Sequence, residues 1–113
     1  MSLNINEIKI SGNLTRDPET LTLPDGKTLT KFTLAVNDAV NREATPTYVD
    51  FVAFGVTGEN LVKVAGRGHN IFVEGRLSVR PYETKDGAKR KSTEVIVGTF
   101  QALTRKPKAA VAA

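Results

Sequence analysis

A two-residue period runs through most of this chain, and it limits the fold more than any other feature. Ile8, Ile10 and Leu14 alternate with Glu7, Lys9 and Asn13 inside residues 5–14. Strict alternation is the mark of a strand with one face on a core. Residues 28–38 repeat the pattern, with Phe32, Leu34 and Val36 on one side and Lys31, Thr33 and Asn37 on the other. Residues 47–55 place Tyr48, Asp50, Val52 and Phe54 on one face and Val49, Phe51 and Ala53 on the other. In 69–82, Ile71, Val73, Leu77 and Val79 face one way, and Phe72, Glu74, Arg76, Ser78, Arg80 and Tyr82 the other. A last strand is expected over 91–103, with Val95 and Val97 opposite Glu94 and Ile96.

Turn chemistry separates these runs. A short run at Thr20-Leu21-Thr22-Leu23 leads into Pro24-Asp25-Gly26-Lys27, where Pro presets φ and Gly accepts positive φ. Lys85-Asp86-Gly87-Ala88-Lys89 is a hairpin tip. Gly12 leaves a gap in the inward series of the first strand, a pattern typical of a bulge or bend. Residues 57–66 alone have helical spacing, with Thr57 as the expected cap, Leu61, Val64 and Ala65 as the apolar stripe, and Gly66 as the stop. About ten residues of helix are marginal alone and must pack on something.

Periodicity by itself supports a small β-barrel with one helix. Five strands with the helix between the third and fourth follow the element order of the OB-fold, a five-stranded Greek-key barrel that binds oligomers on one face. With 113 residues the chain is one domain's worth. Residues 1–104 are expected to form the barrel and 105–113 a short disordered tail of Lys, Arg, Pro, Val and Ala. There is no apolar run near the ~20 residues of a membrane span, and no signal peptide or organelle presequence is expected at the start.

Composition removes several function classes. There is no cysteine and a single histidine, His69, so thiolate metal sites, disulfides and cysteine nucleophiles are excluded. His69 reads as an ordinary surface or packed histidine. No glycine motif for nucleotides occurs, and no pair of acids is expected on a matching face, so no nucleophile–base set emerges. Neither a cofactor nor a metal is implied.

Charge is distributed unevenly. Residues 1–60 carry a net −3 and residues 61–113 a net +7. A basic half points toward a polyanionic partner, with a merely solvated surface as the alternative.

At Gly12-Asn13-Leu14-Thr15-Arg16-Asp17-Pro18-Glu19 the sequence resembles the bacterial single-stranded DNA-binding proteins. The resemblance continues through Phe32-Thr33-Leu34-Ala35-Val36, Tyr48-Val49-Asp50-Phe51-Val52-Ala53-Phe54-Gly55, Val73-Glu74-Gly75-Arg76-Leu77, Arg80-Pro81-Tyr82 and Lys89-Arg90-Lys91-Ser92-Thr93-Glu94-Val95. These strings keep their order and spacing over residues 5–103. The resemblance implies sequence-nonspecific binding of single-stranded DNA in replication, recombination and repair, with no catalysis. Every base has a π-face, so exposed aromatics stack bases of any sequence while Lys and Arg hold phosphates.

Tyr48, Phe54 and Tyr82 match the family's stacking positions. Phe32, Phe51, Phe72 and Phe100 are assigned to packing or interfaces. The candidate phosphate contacts are Lys31, Arg67, Arg76 and Arg80, with Lys85, Lys89, Arg90 and Lys91 clustered at the hairpin that in the family reaches along DNA. Lysines there would equally protect an edge strand from aggregation. Val40 stands where relatives commonly have a further aromatic, often Trp, and Arg42 nearby is either a phosphate contact or a solvated loop charge.

The resemblance also implies a dimer through the first strand and a homotetramer of two such dimers, working in the cytoplasm on the nucleoid. No acid follows Glu94, so the acidic C-terminal tip by which relatives recruit partner enzymes is not expected here. The competing reading is a tail-less primosomal replication protein, a dimeric interaction module built on the same barrel.

Overall fold

The computed structural model describes residues 2–41 and 43–104. The expected tail at 105–113 and the candidate Arg42 lie outside them. The chain runs β1 (Ile8–Leu14), β2 (Glu19–Thr22), β3 (Thr28–Val36), β4 (Thr47–Phe54), α1 (Gly55–Val64), β5 (Asn70–Glu83) and β6 (Lys89–Ala102). The single helix therefore lies between the third and fourth long strands, as the OB-fold order requires.

The sheet order is β1-β5-β6-β4-β3-β2, and β1 also pairs with β3. That extra pairing, Asn13 with Ala35 and Leu14 with Leu34, joins the five long strands in a closed cycle. All contacts are antiparallel except β4 with β6, which pair in parallel only at Phe51/Val95 and Val52/Ile96. Gly12 serves this closure rather than a bulge: a Cβ there would sit 2.7 Å from the Ala35 carbonyl oxygen.

Inward residues of the strands fill the core. Leu14, Phe32, Leu34, Phe51, Ile71, Val73 and Val95 are buried, with Leu61 and Ala65 supplied by α1. The rings of Phe32 and Phe51, cross-strand partners, stack with centroids 5.0 Å apart. Thr30 is buried and polar, and its hydroxyl meets that of Thr20 at 3.1 Å. Burial without such a partner would cost about 1–3 kcal/mol.

Three expectations need correction. The helix starts at Gly55, not Thr57, and Phe54 occupies the cap position without a side-chain cap. Gly55 has φ +59, which turns the chain from strand directly into helix with no loop. The helix also stops earlier than Gly66, with Ala65 as its C-cap. Leu77 and Val79 do not continue the buried series of Ile71 and Val73; they are 40% and 48% exposed. β5 and β6 here extend past the core as a long hairpin arm, so the inward side has nothing to cover it fully.

On β6 Val95 and Val97 face inward as expected, and the strand carries a bulge that the alternation does not show. Its register against β5 shifts at Glu74/Gly75, where Gly75 faces Val97 and Glu74 faces Thr99, leaving Gly98 without a partner. The extra residue flips the alternation, so Val95 and Val97 face inward before it, and Phe100 and Ala102 after it. Gly75 is required at this point because a Cβ would collide with the Ile96 carbonyl. No helix among the described residues is long and apolar enough to cross a membrane.

Candidate nucleic-acid interface

The outward face of β3 and β4 is set by their pairing. Leu29 opposes Phe54, Lys31 opposes Val52, Thr33 opposes Asp50, and Ala35 opposes Tyr48. Opposed residues share a face, so this surface carries two of the three candidate aromatics and one candidate lysine. The hairpin arm brings the others. Tyr82 opposes Arg90, and Arg80 opposes Ser92, on one side of the β5–β6 ladder.

Between these surfaces lies an open groove of about 780 Å³. Lys31, Asp50, Val52 and Phe54 form one wall; Arg80, Tyr82, Lys91 and Glu94 form the other, with Leu23 and Leu29 at its margin. Phe54 and Tyr82 are 43% and 50% exposed, so both rings are half-buried with accessible surface. Half-burial suits stacking, because the ring is held while part of its face stays free. Phe54 also borders a second, smaller hollow with Lys27, Thr28, Gly55, Val56 and Glu59. Val52 is buried although it lies on the outward face. It is the floor between Ile96 and Lys31, covered on both sides.

Five of the eleven candidates thus meet in one groove: Lys31, Phe54, Arg80, Tyr82 and Lys91. Tyr48 does not line it. That ring is 61% exposed on the same face as Phe54, six residues away along β4, or roughly 20 Å. Arg76 opposes Ile96 on the face that carries Arg80. Lys85 is at the hairpin tip, where the Thr84 backbone N–H donates to the Ala88 carbonyl at 2.9 Å. Lys89 opposes Glu83 beside the tip, with Arg90 next to it opposite Tyr82. Arg67 stands apart, on the connection from α1 to β5. Its backbone N–H donates to Asp17 Oδ1 at 2.8 Å, which pins that connection to the segment after β1. His69 is a packed residue whose Nδ1 accepts a 3.0 Å hydrogen bond from the Gly66 N–H.

The loop after β3 is ordered by Asp38. Its Oδ1 accepts from the Val40 and Asn41 N–H groups at 2.8 and 3.0 Å. The Asn41 bond, then the Val40 bond, holds the Asp38 carboxyl below its ordinary range. Val40 is left almost wholly exposed at the turn. Asp86 in the hairpin tip is shifted the same way, chiefly by the Thr84 hydroxyl.

Sequence reasoning missed the acids of the groove. Asp50 and Glu94 both line it, against the expectation that no two acids share a face. Thr33 donates to Asp50 Oδ1 at 2.8 Å, and Arg80 Nη2 donates to Glu94 Oε1 at 3.3 Å. Period two already placed Asp50 beside Tyr48 and Phe54. The placing of Glu94 needed the β4–β6 pairing, which no local pattern reveals. Among the described residues no group of three or more His, Cys, Asp or Glu is arranged to hold a metal ion.

Comparison with known proteins agrees with this geometry. The single-strand binding protein family matches residues 5–103. The chain is similar to a protein named single-stranded DNA-binding protein from Clostridium perfringens, 33% identical over 85% of this chain and 64% of that one. It is 38% identical to single-stranded DNA-binding protein 1 of Lactococcus lactis, over 88% of this chain and 68% of the relative. Identity to single-stranded DNA-binding protein 1 of Staphylococcus aureus is 36%, over 90% of this chain and 67% of the relative. The chain thus spans about two thirds of the length of these relatives.

Proposed function

The chain belongs to the single-strand binding protein family, and from that membership we propose that it coats single-stranded DNA without regard to sequence and protects it in replication, recombination and repair. The observation that carries the reading is the groove: Phe54 and Tyr82 across from one another, with Lys31, Arg80 and Lys91 around them. Bases stack on the two rings and the three cations neutralise the backbone. Stacking contributes about 1–3 kcal/mol per base and is indifferent to base identity. Tyr48 extends the path along β4, and Arg76, Lys85, Lys89 and Arg90 extend it along the hairpin arm. Arg67 would be reached only by a strand that continues past α1. No bond is made or broken. The protein acts by mass action, since ligation of the single strand opposes hairpins and re-annealing.

The assembly proposed is a homotetramer of two dimers joined through β1. Supporting this, β1 pairs with β5 over Ile8–Asn13 but with β3 only at Asn13 and Leu14. One edge of β1 is therefore without a strand partner from Ile8 to Gly12 among the described residues, and such an edge is a template for pairing with a second copy. The working place is the cytoplasm, on the nucleoid, where single strands arise.

Light scattering at micromolar concentration, with and without oligo(dT), tests both proposals. A mass of four chains is expected, rising on addition of the oligonucleotide. A monomeric mass would overturn the assembly, and an unchanged mass with oligo(dT) would overturn the binding.

A further inference from the structure

Arg80 is not a free cation awaiting phosphate. Its guanidinium already pairs with Glu94 at 3.3 Å, diagonally across the hairpin. The Glu94 side chain is the more enclosed partner, 19% exposed against 61% for Arg80. The charged side chains lining the groove are Lys31, Arg80 and Lys91 opposed by Asp50 and Glu94. Two carboxylates thus cancel most of the positive charge that a strand would meet. Asp50 has a neutral partner in the Thr33 hydroxyl; Glu94 alone holds one of the cations.

We propose that Glu94 is a built-in competitor of the nucleic-acid phosphate for Arg80, so that a strand binds by exchange and not by simple addition. The inference rests on the single-strand-binding reading above. A carboxylate and a phosphate present a guanidinium with the same pair of oxygen acceptors, so either occupies the same donors. An ion pair whose arginine is this exposed holds weakly and yields to an incoming phosphate. Displacement does not remove the carboxylate. Glu94, the more enclosed partner, stays in place beside the newly bound backbone. Polyanions that offer phosphates but no unstacked bases have nothing to offset that repulsion, whereas a single strand has stacking on Phe54 and Tyr82. Glu94 thereby lowers the groove's affinity for any phosphate backbone, and stacking on Phe54 and Tyr82 has to supply the remaining binding free energy.

The test is Glu94→Gln, which preserves size and an acceptor for Arg80 while removing the charge. Fluorescence anisotropy is measured with labelled oligo(dT) and with an abasic strand of equal length, across a salt series. Relief of one unit charge about 6 Å from a phosphate, at an effective dielectric of about 40–80, tightens binding roughly three- to tenfold, and release of Arg80 from its ion pair with Glu94 adds up to about a further fivefold, a part that needs the guanidinium. The gain is expected on both ligands, because it arises at the backbone. The slope of log K against log [salt] should steepen by about 0.7, the value for one further phosphate neutralised on a single strand. In an Arg80→Gln background the same substitution should gain less, because no guanidinium is left to release. Thermal melting of Glu94→Gln is expected to match wild type, which separates the effect from loss of fold. Unchanged or weaker binding with an unchanged slope overturns the proposal and leaves Glu94 a clamp on the hairpin. An equal gain with and without Arg80 overturns it too, in favour of a general field. If wild-type protein fails to bind oligo(dT), the single-strand reading itself falls.

Discussion

Tyr82 offers the sharpest test of the proposed stacking face, because its exposed place on the hairpin arm separates the binding role proposed for it from a role in folding. The ring is half-exposed on the hairpin arm, opposite Arg90 and outside the buried core cluster. Full burial of a large aromatic makes its loss to Ala cost about 3–5 kcal/mol. Half of that, about 1.5–2.5 kcal/mol, is the expected cost here, so Tyr82→Ala should remain folded. On the binding side the lost stacking is worth about 1–3 kcal/mol, a roughly 5- to 150-fold rise in Kd for oligo(dT). The chain has two tyrosines and no tryptophan. Tyr48→Phe therefore leaves Tyr82 as the sole tyrosine reporter, and its emission should be quenched as bases stack on it. Titration of Tyr82→Ala gives the affinity, and titration of Tyr48→Phe gives the contact. An affinity within twofold of wild type, together with unquenched Tyr82 emission, would refute the placement of the ligand against this ring.

Two further outcomes follow from the fold. Gly75→Ala forces a methyl against the Ile96 carbonyl at the register shift; an overpacking cost of about 1–3 kcal/mol is expected, read as a fall in Tm of roughly 4–8 °C per kcal/mol. Asp38, whose carboxyl is held below its ordinary value of 3.8 by the Asn41 and Val40 N–H groups, contributes order to its loop above that ordinary value. The contribution is lost as pH falls through the lowered value, so the protection factors of the Val40 and Asn41 amides, which remove the intrinsic pH dependence of exchange, should fall in acid and stay constant from pH 5 upward.

The alternation in β1, β3 and β4 was readable because each of these strands keeps one parity against one core. Period two puts Phe32 with Leu34, Phe51 with Ala53 and Ile71 with Val73 on one side of their strands, and all six are buried. The register shift opposite Gly98 was not readable. A bulge inserts one residue without any compositional mark beyond the glycine, so the inward series in β6 had to be followed across it in three dimensions. Leu77 and Val79 misled for a different reason. Their parity is that of the core, but the strand outruns the core, and alternation says which way a side chain points without saying whether anything waits there.

The candidate site shows the same division between local and cross-strand information. Tyr48, Phe54 and Asp50 share a face by counting along one strand, whereas the meeting of Phe54 with Arg80 and Tyr82 depends on the hairpin arm lying against β3 and β4. The basic second half of the sequence points toward a polyanionic partner. The groove itself combines cations and acids in nearly equal number, because Asp50 comes from the acidic half and Glu94 is carried in by β6 between Val95 and the lysines of the tip. A surplus of charge along the chain sets the long-range attraction of a polyanion. The charge a strand meets at contact is set by which residues the pairing brings together, and here that local balance is close to neutral. Stacking, which does not weaken with salt, must then carry a larger share of the affinity than the net charge of the chain implies.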